Sequence, residues 1–172
     1  MRRTSVFALA VTFVWLVGGS TVWAQKYDDK EHAELAKALK GVKTSLEKGL
    51  SASESQGKPI SGKFEVEDGK LQLSVYTMKG EKFSEVIVDH KTGKTAKSEA
   101  ITAGEDLSAA KAQSGAMAKA KVSLRSATEK AVKANKGFQA VSVTPSLKDG
   151  HPVAEITLVK GDEFKTASEK LD

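Results

Sequence analysis

The chain has 172 residues, with 27 basic and 22 acidic side chains, three histidines and no cysteine. Without cysteine it cannot contain disulfide bonds, thiolate metal sites or a lipidated cysteine anchor. Acidic and basic residues are interleaved, and Arg125 is the single arginine beyond position 3, which argues against a nucleic-acid-binding surface. A chain of this length forms one compact domain or two small ones.

The first segment has the pattern of an export signal. A basic start is followed by an apolar run, Val6–Val17, and then by small residues up to Ala24. The run is shorter than the roughly 20 residues that span a bilayer. We therefore predict a signal peptide at residues 1–24, cleaved between Ala24 and Gln25, and a periplasmic or secreted protein without stable membrane insertion.

Two stretches have helical periodicity. Apolar residues recur at spacings of three and four between Lys30 and Leu50, which predicts one amphipathic helix there. A weaker pattern over Met117–Asn135 predicts a second helix, which Gly137 ends.

Strands and tight turns follow each predicted helix. Asp68-Gly69 indicates a hairpin, and the residues after it alternate between apolar and polar as in a half-buried strand. The segment 94–98 is predicted as a short edge strand. In the second half, strands are predicted at Phe138–Leu147, Pro152–Val159 and Glu163–Leu171.

The two halves share sequence features at a nearly constant spacing. Residues 35–50 can be aligned with 117–132, Asp68-Gly69 recurs as Asp149-Gly150, and the turn at Lys79-Gly80 recurs at Lys160-Gly161. Such a long period predicts two copies of one small unit. We expect a first repeat at 25–98, a linker at 99–116 and a second repeat at 117–172.

These units predict an α+β fold in which each repeat is a helix followed by an antiparallel meander. We favour joining the two sheets edge to edge into one curved antiparallel sheet of about seven strands, because this removes two exposed edges. Both helices are then expected on one face, with the other face bare. The alternative is two units packed face to face.

The segment Gly62–Lys94 resembles a PepSY domain. The closing pattern V-x-V-D-x-x-T-G-K of that family matches Val86, Val88, Asp89, Thr92, Gly93 and Lys94, and Val66, Glu67 and Gly69 match an earlier element. The second half has no T-G-K hairpin. PepSY domains occur in propeptides of thermolysin-like metallopeptidases and as small exported proteins. The resemblance therefore implies a binding or inhibitory module; an unrelated α+β repeat is the alternative.

Catalytic and metal-binding patterns are weak. The histidines His32, His90 and His151 belong to no recognised catalytic motif. Glu65 and Glu67 share one strand face, which is typical of a solvated face. We therefore expect no enzyme activity, no catalytic residue, no metal site and no cofactor.

The sheet face opposite the helices is the predicted partner-binding surface. We expect a protein or peptide partner there, with a peptidase as one candidate and with no nucleic acid bound. The alternative function is a periplasmic ligand- or metal-sensing accessory protein for a membrane partner, and the sequence leaves the oligomeric state open. The predicted partner-binding residues are Gln72, Ser74, Tyr76, Met78, Val153, Glu155, Thr157 and Val159.

Overall fold

A computed structural model describes residues 29–172, so the predicted signal peptide and its cleavage site at Ala24 and Gln25 lie outside the described residues. Within that range four α-helices and one antiparallel sheet of seven strands form an α+β fold. None of these helices is long and apolar enough to cross a bilayer. The elements are α1 (Asp29–Leu39), α2 (Leu46–Ser53), β1 (Lys58–Glu67), β2 (Lys70–Lys79), β3 (Lys82–Val88), β4 (Thr95–Ile101), α3 (Gly104–Lys119), α4 (Leu124–Ala134), β5 (Gln139–Lys148), β6 (His151–Lys160) and β7 (Glu163–Lys170).

A single sheet joins the two halves of the chain. Its strand order is β4-β3-β2-β1-β5-β6-β7. At its centre β1 and β5 run antiparallel, with Gly62 opposite Val143 and Lys63 opposite Ser142. The predicted edge-to-edge sheet of about seven antiparallel strands is confirmed, and the face-to-face alternative is wrong.

The hairpins form where the turn residues predict them. Asp68 and Asp149 adopt φ values of 49° and 52°, and a glycine with positive φ follows each one. Two consecutive residues with positive φ match the right-handed twist of the flanking strands, which is why Asp-Gly is favoured in such turns. The predicted turns at Gly80 and Gly161 also join strand pairs.

The closing hairpin of the PepSY-like pattern is a turn held by Asp89. One oxygen of its carboxylate accepts hydrogen bonds from the backbone N–H of Lys91 at 2.9 Å and of Thr92 at 2.7 Å. These backbone bonds hold the pKa of Asp89 below its ordinary value. Gly93 takes the positive φ that ends the turn. The matched residues therefore have a structural explanation in this chain.

One face of the sheet, which we call the core face, packs against α2 and α4. Side chains of Leu46 and Leu50 in α2 approach Gly62, and Gly49 lies directly against Leu73. Helices α2 and α4 also pack on each other. This layer holds most of the large buried side chains: Leu46, Leu50, Phe64, Leu73, Val75, Val86, Val88, Leu124, Val143, Ile156 and Leu158.

The opposite face, which we call the groove face, is covered by α1 and α3. Ser61 donates a hydrogen bond to Gln113 of α3 at 2.8 Å, and Ser114 of α3 donates one to the sulfur of Met78. The ring of His32 in α1 stacks on Phe164 with centroids 4.0 Å apart, and Phe164 lies on this face as the cross-strand neighbour of Val159.

The prediction of helices on one face with a bare opposite face is therefore not confirmed. The connections between paired helices pass over opposite ends of the sheet. Between α1 and α2, the backbone N–H groups of Lys43 and Thr44 donate to the carbonyl of His90 at 3.1 Å. Between α3 and α4, the N–H of Val122 donates to the carbonyl of Leu171 at 2.9 Å. Each helix pair thus straddles the sheet.

Two predicted segments are also corrected. The single helix expected from Lys30 to Leu50 is broken between α1 and α2, where Ser45 caps α2 by accepting a hydrogen bond from the N–H of Lys48. The expected linker, 99–116, instead forms the end of β4 and most of α3, and the second predicted helix begins at Leu124, not at Met117.

Candidate functional site: a polar groove between two helices

Helices α1 and α3 leave part of the groove face accessible. Helix α1 packs on β1 and β2, and helix α3 packs on β1, β5 and β6, whereas α1 and α3 approach each other closely at few positions or none. The sheet surface that they leave partly exposed carries polar side chains from five adjacent strands, all half-buried except the buried Ser74. We call this surface the polar groove: Lys63, Glu65, Gln72, Ser74, Tyr76, Glu85, Ser142, Thr144, Glu155 and Thr157.

Strand register brings these side chains together. Lys63 on β1 is opposite Ser74 on β2 and Ser142 on β5, and Ser142 is opposite Thr157 on β6. Cross-strand neighbours project to the same face with about 5 Å between their Cβ atoms. The groove floor is therefore a continuous row of hydroxyl and charged groups.

Hydrogen bonds hold Glu65 in place. The ammonium of Lys63 lies 2.6 Å from one carboxylate oxygen, and the hydroxyl of Ser74 donates to the other at 2.9 Å. Gln72 in turn donates from its amide nitrogen to the Ser74 hydroxyl at 3.0 Å. Only about a quarter of the Lys63 and Glu65 side chains is exposed, at 27% and 25%. A partly desolvated network of this kind fixes side-chain positions firmly.

Glu85 is the second carboxylate of the groove. Burial raises its pKa, and the negative charges of Glu65 and Asp106 raise it further, while the positive charge of Lys63 opposes the shift. An ionised Glu85 therefore costs free energy in the folded chain. A carboxyl group whose pKa is raised by burial and by neighbouring carboxylates, and which lies in a cleft, is typical of functional sites.

Tyr76 links the groove to α3. Its hydroxyl donates to Asp106 at 2.8 Å. Burial, followed by that hydrogen bond and the charge of Asp106, raises the pKa of Tyr76 above its ordinary value. The phenol therefore remains a hydrogen-bond donor at neutral pH and holds the first turns of α3 against β2.

The groove is acidic although the whole chain carries a formal net charge of +5. Its carboxylates are Glu65, Glu85 and Glu155, with Asp106 beside them on α3. Its single cation, Lys63, is engaged with Glu65. The local charge is therefore opposite in sign to the net charge, which favours a cationic ligand.

The predicted partner-binding residues divide into two sets. Gln72, Ser74, Tyr76, Glu155 and Thr157 belong to the polar groove, and none of them is fully exposed.

The other three lie outside the groove. Met78 is half-buried and accepts the hydrogen bond from Ser114, while Val153 and Val159 are 9% and 2% exposed. Met78, Val153 and Val159 therefore do not form an open binding surface.

Sequence reasoning missed four charged residues near this surface. Lys63 and Glu65 alternate with the apolar Phe64 in β1, and Glu65 was predicted on a solvated face of the strand, but neither residue was predicted to bind a partner. Glu85 lies in the groove because it is opposite Tyr76 in the β2–β3 register. The location of Asp106 could not have been predicted, because it depends on the path of α3 across the sheet.

His90 and His151 lie away from the groove. His90 is in the β3–β4 turn, where its carbonyl accepts the two bonds from the α1–α2 connection. His151 begins β6, and its Nδ1 lies 2.7 Å from a carboxylate oxygen of Asp172. No group of three or more His, Asp or Glu residues is placed to hold a metal ion in the part of the chain that the structure describes.

A small cavity lies at the C-terminal end of α2. It has a volume of about 190 Å³ and is bordered by Glu54, Lys58, Met117 and Arg125, among others. Ligand-binding pockets are usually about 300–1,000 Å³. Arg125 is already hydrogen-bonded to Glu129 at 3.2 Å, so this cavity is a weaker candidate than the groove.

Comparison with known proteins identifies no relative: no family model, no curated protein and no solved structure matches this chain.

Proposed function

We propose that this chain is an exported, non-catalytic binding module whose polar groove holds an extended, positively charged segment of a partner protein or peptide. The observation that carries the proposal is the set of half-buried carboxylates, Glu65, Glu85 and Glu155, beside one lysine that is already paired. A bound cation would reduce the repulsion between Glu65 and Glu85.

The dimensions of the groove favour a short extended segment. It crosses five adjacent strands. With strands about 4.8 Å apart, the distance from β3 to β6 is about 19 Å, which matches about six residues of extended chain at 3.3 Å each. The hydroxyl groups of Ser142, Thr144 and Thr157 lie along this path and can hydrogen-bond to a backbone.

The hydrogen bonding of the groove supports binding over catalysis. Ser74 is 1% exposed, and its hydroxyl proton is donated to Glu65, which also pairs with Lys63. A serine nucleophile needs a neighbouring base that is free to accept its proton. The closest approach to a catalytic dyad, His151 with Asp172, lies at the end of β6 where the β5–β6 hairpin turns.

The PepSY resemblance favours a peptidase as the partner, and the predicted signal peptide favours an extracytoplasmic location. In that case an extended loop of the enzyme would occupy the groove, and binding would restrict access to its active site. The sequence analysis predicted docking on a bare sheet face, and the present proposal places the partner in the polar groove instead.

We also propose that the two halves arose by tandem duplication. Irregular β-pairing occurs at Ile60 and again at Val141, each between the first strand of its half and the next. Serine caps the second helix of each half, at Ser45 and Ser123. The two capping serines are 78 positions apart in the sequence, whereas residues 35–50 were aligned with 117–132 at a spacing of 82 positions. The alignment based on sequence is therefore displaced by about one helical turn from the alignment based on structure.

Binding can be tested with two end-blocked hexapeptides, one alternating lysine with serine and one alternating glutamate with serine. We expect the lysine peptide to shift amide signals of groove residues in NMR titrations, and Glu85→Gln to weaken its binding. Glu81→Gln, in the exposed β2–β3 turn, is the matched control and should bind normally. Equal binding of both peptides, or no binding, would refute the proposal.

The identity of the partner needs a separate test. If a metallopeptidase of the thermolysin type is the partner, the purified protein should lower its turnover of a large substrate, and Glu85→Gln should restore that turnover. Peptide binding without any effect on such a peptidase would leave the groove as the binding site and exclude this partner.

A further inference from the structure

The two edges of the sheet are protected to different degrees. At β7, Phe164 is stacked by His32 of α1, and Glu169 forms an ion pair with Lys130 of α4. At the other edge, β4 pairs with β3, and six of its seven residues are exposed. Its first residue, Thr95, donates a hydrogen bond to the carbonyl of Ala52 in α2 at 3.3 Å, and the residues from Ala96 to Ala100 are all exposed. An uncovered edge strand presents a row of free backbone N–H and C=O groups that can pair with another strand.

The sequence of β4 is self-complementary in charge. Reading outward from Ser98, Lys97 is balanced by Glu99, and Ala96 by Ala100. If two copies of β4 pair antiparallel with Ser98 opposite Ser98, each Lys97 lies opposite a Glu99 of the other copy. Opposite charges in directly facing positions stabilise a strand pair. A register centred on Lys97 or Glu99 would instead place like charges opposite each other, so one register is favoured.

Within the chain, Glu99 has an acidic cross-strand neighbour. Glu99 is opposite Glu85 on β3, so two carboxylates occupy facing positions. Lys97 compensates in part, with its ammonium 2.8 Å from Glu99, but both side chains remain about 60% exposed. An additional lysine from another copy would improve the charge balance at this edge.

We propose that β4 is a homodimer interface, in which a second copy of this chain pairs antiparallel through Ala96–Ala100. The twofold axis runs perpendicular to the sheet, so the seven strands of each copy continue into the other and both polar grooves open on the same side. Because the contact involves about five residues per copy, the dimer is weak and is populated only at micromolar concentrations or above.

Charge reversal gives a specific test by sedimentation velocity over a range of protein concentrations. Lys97→Glu and Glu99→Lys each place like charges opposite one another in the homodimer, and each should weaken dimerisation about tenfold or more. An equimolar mixture of the two variants restores both opposite-charge pairs and should dimerise, as should the double variant that carries both changes.

The controls separate pairing from folding and from the groove. Lys82→Glu makes the same charge change at an exposed position on β3 and should leave the dimer intact. Thermal unfolding should show that Lys97→Glu is folded, and that variant should still bind the lysine hexapeptide. A monomeric wild-type protein at every concentration, dimers unaffected by the single reversals, or a mixture that remains monomeric would each overturn the interface.

Discussion

Replacement of Tyr76 by Phe tests the packing of α3 on the groove face. The change removes one hydroxyl and keeps the aromatic ring, so the lost interaction is the 2.8 Å bond to Asp106. Hydrogen bonds to charged groups contribute about 1.5–3 kcal/mol, but Asp106 is exposed and solvent screens it, which reduces the expected loss to about 1 kcal/mol. For a domain of this size, that loss lowers the melting temperature by about 2–4 °C.

A double-mutant cycle isolates this bond. Unfolding in urea should give a coupling free energy of about 1 kcal/mol between Tyr76→Phe and Asp106→Ala. The matched control pairs Tyr76→Phe with Asp162→Ala, whose aspartate lies in the exposed β6–β7 turn, and there the effects should add. A Tyr76–Asp106 coupling that cannot be distinguished from zero would refute the position of α3.

Ultraviolet titration of the phenol provides an independent measurement. Since burial and Asp106 raise the pKa of Tyr76, its absorbance change should occur above the ordinary tyrosine range. The stabilising contribution of the protonated phenol is present below the unfolded pKa of about 10 and is lost as the pH rises through the folded value. Asp106→Asn should lower the folded pKa only in part, because burial is the larger cause.

Four further substitutions have definite expected outcomes. Glu85→Gln should raise the melting temperature at neutral pH, and the gain should disappear as the pH falls below the ordinary carboxyl pKa, because the native state already favours the protonated acid. Gly49→Ala should destabilise by about 1–3 kcal/mol in urea unfolding, since the added Cβ would lie 2.5 Å from Leu73, whereas Gly115→Ala, with open space around it in α3, should stabilise by up to about 1 kcal/mol. Asp89→Ala should lower the melting temperature at neutral pH but not below the folded pKa of Asp89, where the carboxylate of the wild type is protonated; equal effects at both pH values would contradict the turn mechanism.

The strands could be predicted because their signals are local. Asp-Gly turns fix the hairpins, and alternation along β2 and β6 fixes which side chains share a face. Joining the halves through β1 and β5 followed from the need to protect strand edges, and the sheet has that order.

The helices were harder to predict because their limits depend on the sheet. Val42 continues the apolar spacing across the break between α1 and α2, so periodicity gives no warning of it. Helix α3 is rich in alanine and serine and lacks a strong apolar stripe, because it packs on a largely polar floor. The composition of 99–116 therefore resembles a linker, although alanine has the highest helix propensity.

The groove could not be located from sequence for the same reason. Polar residues on alternate positions of β2 indicate either a solvated face or a face beneath a helix with small and polar side chains. Burial of Ser74 at 1% exposure and its hydrogen bond to Glu65 distinguish these cases only after α1 and α3 are placed.

The two faces of this sheet have different roles: the core face provides most of the stability, and the groove face is the proposed binding surface. The core face holds Phe64, the single fully buried aromatic residue in the described chain, together with the aliphatic side chains of α2 and α4. The groove face holds charges that are costly to bury. Substitutions on the buried side of α2, such as Leu50→Ala, should therefore lower the free energy of unfolding without changing the affinity of the folded protein for a cationic peptide. Glu85→Gln, in contrast, should weaken peptide binding without lowering the free energy of unfolding. Sites on opposite faces of the sheet that share no partners should give additive effects in the double variant. A coupling free energy different from zero between Leu50→Ala and Glu85→Gln would mean that binding in the groove affects the core through β1 and β2.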